Sequence, residues 1–272
     1  MIATTAFDSM AVDYDRSFTR STLGQLMRQA VWQRMDANFA PGSRVLELNC
    51  GTGEDALYLA RKGVRVLATD ISAAMCAVAR QKISSAHLSN FVDVRQMAIE
   101  EIKEIKRLEI GDWLNPISNP QSPFDGLLSN FGGLNCVSDL GKIAQHMAAV
   151  LRPGARAVLC IMGPLVPWEW LWYLRKGQPR KAFRRLGRDG VAWCDLRIRY
   201  PSARTARRQF APNFRFLRAS AVGALLPPSY AEAWAQKHSR MLSRLNQIER
   251  RFETHPLMTS LADHYVIEFE RN

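Results

Sequence analysis

The chain has little cysteine and no pattern in what it has. Five cysteines stand among 272 residues, an odd number, with no C-x-x-C or C-x-x-H spacing. Neither a disulfide framework nor a zinc site is indicated. A reducing compartment suits this composition. Residues 1 to 25 carry no signal-peptide pattern, so a cytoplasmic location is expected. No Gly-Lys-Ser/Thr follows the glycine-rich loop near residue 50, which excludes a Walker site. No metal-binding triad is visible, so no metal is expected. Histidine is scarce as well. His238 falls in a polar helical pattern and His264 opens a strand pattern, while His87, His146 and His255 sit in no motif. No general base is assigned, and the catalytic residues stay unknown at this stage.

A long uninterrupted apolar run is also missing. The nearest candidate, Ala157 to Leu174, has only Glu169 charged, but Gly163, Pro164 and Pro167 interrupt it. One membrane-crossing helix is therefore disfavoured. A buried strand over 157–162, a loop and an aromatic helix are expected instead. Acids are nearly absent from Arg175 to Arg218. Fourteen Lys or Arg there face only Asp189 and Asp195, a surplus of twelve that equals the formal charge of the whole chain, +12. A field of this kind suits an anionic partner, a membrane surface or mere solubility.

What is present is a packed-core composition, 47% hydrophobic, at a length of one domain or a domain with an inserted cap. Arg44 to Ala60 reads as strand, tight loop and helix. Val45-Leu46-Glu47-Leu48 breaks at Asn49-Cys50-Gly51-Thr52-Gly53 and resumes with apolar residues at helical spacing. Glycine lets the backbone approach a ligand, and a helix start offers free N–H groups. A phosphate, a dinucleotide or another polar cofactor would all suit such a loop. The pattern departs from G-x-G-x-x-G, because Asn49 and Ala56 stand at the outer glycine positions. A second strand, Val64 to Thr69, ends in Asp70, about 20 residues after the loop and well placed for ribose hydroxyls.

Together, VLELNCGTG and VRVLATDISAAM resemble the first two motifs of class I S-adenosylmethionine-dependent methyltransferases of the small-molecule type. The resemblance is strongest over residues 7 to 160. It implies an α/β Rossmann-like fold: a seven-stranded, mostly parallel sheet with an antiparallel last strand and helices on both faces. It also implies S-adenosylmethionine as cofactor, with S-adenosylhomocysteine as product. Glu47, Asn49, Gly51 and Gly53 would underlie its methionine part, and Asp70 would hold the ribose. Ile71 would pack on adenine with Met75 nearby, and the Met97-Ala98-Ile99 loop would edge the ring. F-D-x-x-A-x-x-Y-D-x-x-F, from Phe7 to Phe18, looks like the family's N-terminal lid, placing Tyr14 near cofactor and substrate and Arg28 near the cofactor carboxylate.

The fourth strand, Phe124 to Asn130, leads into Phe131-Gly132-Gly133-Leu134-Asn135. Ligands of open α/β sheets bind at carboxyl strand ends, so Asn130 and Phe131 should face the reacting atoms. No (D/N)-P-P-(Y/F/W) motif and no Pro-Cys pair stands there, which disfavours common DNA and glutamine methylation. Residues 103–123 read as an unusually long loop. Beyond strand five, Trp168, Trp170, Trp172 and Tyr173 precede a basic run. A pocket wall, an interfacial membrane anchor and an RNA-binding surface compete there. Residues 191–199 suggest one strand, 201–210 a helix, 213–222 a strand, 229–252 a helix and 264–270 a final strand.

Four parts follow: a lid at 1–40, a cofactor-binding core at 41–162, an α/β cap inserted after strand five at 163–212, and sheet-completing elements at 213–272. Acceptor-side candidates are Tyr14, Phe131, Asn135, Trp168, Trp172 and His264. The expected activity is methyl transfer by in-line displacement to a small-molecule or lipid-like acceptor, possible charge on it being anionic. RNA or protein methylation through the 175–218 surface, and a non-catalytic cofactor-binding relative, are the alternatives. Peripheral membrane contact is a further partner reading, and oligomeric state is unknown.

Overall fold

The computed structural model describes residues 7–107, 124–187 and 189–272. Residues 108–123 of the expected 103–123 loop lie outside them, and 103–107 belong to a 3-10 helix, Ile99–Arg107, instead of a loop. The strands are β1 (Arg44–Leu48), β2 (Arg65–Asp70), β3 (Val92–Gln96), β4 (Phe124–Ser129), β5 (Leu151–Met162), β6 (Val191–Trp193), β7 (Leu196–Ile198), β8 (Phe214–Val222) and β9 (His264–Arg271). Seven of them form one sheet in the order β3-β2-β1-β4-β5-β9-β8. Pairs from β3 through β5 are parallel, while β9 is antiparallel to both β5 and β8. The mostly parallel sheet with an antiparallel last strand is thus as expected.

Parallel strands are covered on both faces, which is why β1 and β2 read as nearly continuous apolar runs. Helices Thr22–Asn38, Glu54–Arg61 and Ala73–Ser85 contribute to one core, with Met27, Leu59 and Ala79 among its members. Leu140–Val150 and Ala203–Phe210 contribute to the other, where Phe210 stacks on Phe269 at 4.8 Å. Five described helix starts are capped by side chains that accept a backbone N–H: Ser21, Ser72, Asp139, Ser202 and His255. Among the described residues no helix is long and apolar enough to cross a membrane. The apolar run at 157–174 divides at Gly163 into the end of β5 and helix Pro167–Arg175.

Two further expected elements differ. Residues 191–199 are a hairpin, not one strand. β6 and β7 pair antiparallel, and Cys194 takes a positive φ of 49° in the turn. The 229–252 helix breaks at His238 into Glu232–Lys237 and Ser239–Phe252. A ring nitrogen of His238 lies 2.8 Å from the Trp234 carbonyl, which occupies the acceptor an unbroken helix would use.

The aromatic helix Pro167–Arg175 is fastened from beneath. Glu169 is fully buried and pairs with Arg184 at 2.8 Å and Arg185 at 2.7 Å. Arg185 also pairs with Asp263 at 2.7 Å, and its guanidinium lies 5.0 Å from the Tyr200 ring. Part of the positive surplus is therefore spent inside the fold. Nearer the surface, Arg215 and Arg218 pair with Glu270 and Glu253.

Candidate active site

The sheet order turns back between β1 and β4, and the crevice outside such strand ends is where open α/β sheets bind ligands. A cavity with about 1020 Å³ of empty space, part of it open to solvent, lies there. Asn49 forms its floor in a left-handed conformation, φ 49°. The Asn49 amide donates to the Asn130 carbonyl at 2.5 Å and accepts from the Ser129 hydroxyl at 2.6 Å. Room for this side chain exists because residue 133 is glycine. A Cβ there would stand 2.1 Å from Asn49 Cγ. Asn49 thus ties the loop after β1 to the end of β4.

Gly51 lines the cavity at φ 53°, and a Cβ on it would meet nothing within 4 Å. Gly53 does not reach the cavity. Its missing Cβ would lie 2.9 Å from Ala79 Cβ, so its role is close helix packing. Asp70, at the tip of β2, lines the cavity although it is largely buried. One carboxylate oxygen accepts from Gly51 N–H at 2.8 Å and the other from Ser72 N–H at 2.9 Å. Burial raises its pKa above the usual aspartate range, opposed by those two N–H groups.

Glu47 and Arg28 sit one layer behind the cavity. Glu47 Oε2 is buried without a hydrogen-bond partner, and burial, then the Asp55 charge, push its pKa well above the usual range. Arg28 pairs with Asp55 at 2.7 Å. Asp55 also accepts from Trp32 at 2.7 Å and Asn130 at 2.8 Å. The Arg28 guanidinium lies 5.0 Å from the Phe131 ring, and only its Nε is buried without a partner. Arg28 is therefore engaged by Asp55 and does not line the cavity.

Phe7 and Tyr14 cover the cavity from the N-terminal segment. Asp8 accepts from Ser72 Oγ at 2.5 Å and Ala74 N–H at 3.2 Å. Asp15 accepts from Thr52 at 2.6 Å and pairs with Lys82 at 2.7 Å. Burial pushes the Tyr14 phenol up to about 12 against the pull of Arg28, so it keeps its proton at neutral pH.

Ile71, Met75, Met97 and Ile99 make an apolar slot on the Asp70 side. Ala98 is not part of it. Its N–H donates to the Glu101 carboxylate at 2.9 Å and its carbonyl accepts from Glu101 N–H at 3.0 Å, so both backbone groups are taken. Glu100 reaches the cavity in its place.

On the other side stand Asn130, Phe131, Gly132, Gly133, Cys136, Val137 and Met162. Phe131 has φ 47° and meets Phe18 and His264 edge-on, at 5.0 and 5.5 Å. His264 is thus behind Phe131, with Nδ1 3.2 Å from Asp263, and does not line the cavity. Asn135 is fully buried and bonds Met162 and the Arg199 carbonyl, a structural clamp. Trp168 packs on Trp234, and Trp172 lies under Lys176. Neither tryptophan lines the cavity. The hairpin supplies Leu196 and Ile198 instead, and Phe7 packs on Trp193 at 5.2 Å. The alternation Leu196-Arg197-Ile198 carried that signal, and the strand-end rule applied to β5 would have found Met162. None of the lining residues described is Lys or Arg; the acids are Asp70 and Glu100.

Residues 45–154 match the family described as Methyltransferase domain. A tRNA 5-carboxymethoxyuridine methyltransferase of Escherichia coli (strain K12) is 27% identical over 194 residues, 67% of this chain and 68% of that protein. A demethylmenaquinone methyltransferase of Mycobacterium sp. (strain KMS) is 31% identical over 157 residues, 57% of this chain and 56% of that protein. This chain spans little more than half the length of that relative. The geranyl diphosphate C-methyltransferase of Streptomyces coelicolor A3(2), solved with S-adenosyl-L-homocysteine, shares the fold at a TM-score of 0.56 with 12% identity, over 98% of this chain and 84% of that one. The sheet order, the glycine loop beside Asp70 and these likenesses agree on a methyltransferase domain over residues 45–154, in a chain that shares the fold of solved methyltransferases.

Proposed function

We propose that the cavity holds S-adenosylmethionine and that the chain transfers its methyl group to a small, apolar, uncharged acceptor. One juxtaposition carries the cofactor reading. The Asp70 carboxylate and the bare face of Gly51 share a cavity wall whose remainder is mostly apolar. Asp70 oxygens have lone pairs left for ribose hydroxyls. The slot of Ile71, Met75, Met97 and Ile99 suits the two faces of an adenine. When bound, S-adenosylmethionine supplies an electrophilic methyl on a sulfonium.

The chain's own residues then have three tasks. Phe131, in its left-handed bend, sets where an acceptor can approach. Phe7, Tyr14, Leu196 and Ile198 keep water off the reacting atoms. The rigid Asn49–Asn130 junction fixes donor and acceptor walls relative to each other, and alignment alone supplies much of such a displacement's acceleration. Within this reading residues 1–40 act as lid, 41–162 as the cofactor core, 163–212 as the acceptor cap and 213–272 complete the sheet. A cytoplasmic setting suits the five free thiols.

The acceptor reading rests on the wall opposite Asp70. It is apolar, and no cation among the described residues faces it. A polyanionic acceptor such as RNA would gain nothing there, although the Escherichia coli relative is named for a tRNA substrate. Calorimetry with S-adenosylhomocysteine tests the cofactor: binding is expected, weaker by at least about tenfold in Asp70→Asn and abolished in Gly51→Val. No binding to the native chain sinks the reading. Cell extracts incubated with methyl-labelled cofactor then locate the label. Label in the organic-soluble fraction supports a small apolar acceptor; label in RNA or protein supports the alternatives. No label at all leaves a non-catalytic relative.

A further inference from the structure

Helix Pro167–Arg175 and the turns after it bury one side through Glu169, Ala182 and Arg185. The other side is exposed and apolar. Leu171 is 52% exposed, Leu174 47%, Phe183 43% and Leu186 49%. Trp170, Leu171 and Leu174 share one helix side by their spacing of three and four. Trp170 meets Phe183 at 5.8 Å, and Leu186 follows Phe183 by one turn, so these side chains form one patch.

The rim of this patch is basic. Arg175, Lys176, Arg180 and Lys181 are exposed, and none has a carboxylate partner among the described residues. Lys176 instead lies 4.5 Å from the Trp172 ring centre and Lys181 6.0 Å from that of Tyr173. The one acid of the helix, Glu169, points inward to Arg184 and Arg185. Beyond the patch, Arg185 packs on Tyr200, two residues after Ile198 of the cavity wall. The patch and the apolar cavity wall are therefore joined by a short, packed stretch of chain.

We propose that this face docks on an anionic lipid surface. An apolar side flanked by Lys and Arg, with no exposed acid between residues 167 and 187, is complementary to the boundary between acyl chains and acidic headgroups. Leucine side chains carry that choice. They gain from an apolar phase, but they give a nucleic acid base nothing to stack on, and the two rings of the patch, Trp170 and Phe183, pack on each other. A second copy of the chain fits poorly, since a two-fold interface would set the same four cations against themselves. The inference adds a site of access to the apolar acceptor proposed above and is tested without it.

The test is sedimentation of the full chain with vesicles. Binding to vesicles containing phosphatidylglycerol should exceed binding to pure phosphatidylcholine by at least about tenfold at about 0.1 M salt and fall at about 1 M. The variant Leu171→Ser/Leu174→Ser/Phe183→Ser should lose most of the binding, as should Arg175→Glu/Lys176→Glu/Arg180→Glu/Lys181→Glu. All these side chains are exposed, and an unchanged urea midpoint reports an intact fold. No preference for acidic vesicles overturns the proposal. So does full vesicle binding by the serine variant, RNA binding that the serine variant leaves intact without any vesicle binding, or a native dimer that the serine variant dissociates. Failure of the methyl-transfer reading would appear in the calorimetry, and failure of this one in the vesicle pellet.

Discussion

Asn49 and Gly133 behave as one unit at the level of single residues. Methylating the Cα of residue 133 puts a carbon 2.1 Å from Asn49 Cγ, so the loop after β1 must move. Gly133→Ala should cost about 1–3 kcal/mol of stability and weaken S-adenosylhomocysteine binding. Adding Asn49→Gly should recover more than half of the stability loss, since glycine accepts the φ of 49° and removes the obstacle. Urea melts of the two single variants and the double variant check this; a strictly additive double would refute the coupling. That Asn49 could take a left-handed conformation was legible from its type. Its dependence on Gly133 was not, because 84 positions of chain separate them in sequence and nothing local marks the contact. Arg28 shows the same limit. Its charge was visible, but its commitment to Asp55 follows from how two helices pack. Asp263 offers a second residue-scale outcome. Burial alone would raise its pKa, yet the Arg185 guanidinium and His264 hold it below the usual aspartate range. An acid depressed on folding stabilises above its unfolded pKa of about 3.9 and loses that contribution below it. Asp263→Asn should therefore cost about 3–5 kcal/mol at pH 7, with the gap to the native chain narrowing as pH falls below about 4. A gap that stays constant across that window would show that Asp263 is not charged in the fold.

The N-terminal segment is the element on which access to the cavity turns. It is held by polar contacts at separate points: Asp8 on the start of helix Ala73–Ser85, Asp15 on Thr52 and Lys82, and the Thr22 and Leu23 N–H groups on Glu232. Such contacts, half exposed, can open without disturbing the sheet. Asp8→Ala/Asp15→Ala should speed S-adenosylhomocysteine release by about tenfold or more while changing stability by no more than about 1–2 kcal/mol. Stopped-flow displacement measures the release. An unchanged rate would mean that the segment does not gate the cavity. Elements were readable where their signals were local. The strands up to β5 showed apolar runs between punctuation, and Ser72 marked a helix start. The β6–β7 hairpin was missed because its turn, Cys194-Asp195, carries neither glycine nor asparagine, the usual residues for positive φ there. Helix 229–252 was drawn as one because neither Gly nor Pro marks the break at His238.

For the molecule as a whole, the order of strands was legible only through the resemblance carried by the two motifs; periodicity says that strands exist, not which ones are neighbours. Charge was legible as a sum but not as a distribution, because Glu169, Asp263, Glu253 and Glu270 each neutralise part of the basic stretch from elsewhere in the sequence. The place of β9 has one more consequence. It hydrogen-bonds on both edges, yet it comes after both of its neighbours in the chain, and its Glu268 receives Arg34 and Asn38 from the first long helix. A refolding chain that has already shaped β5 and β8 still lacks the strand between them. Two raw strand edges then face each other across an open slot, available to any other copy at the same stage. Refolding from urea should thus be slow, and its yield should drop as protein concentration rises. Dilute, cold refolding, rather than tighter packing of the finished fold, is where gains in soluble protein are to be sought.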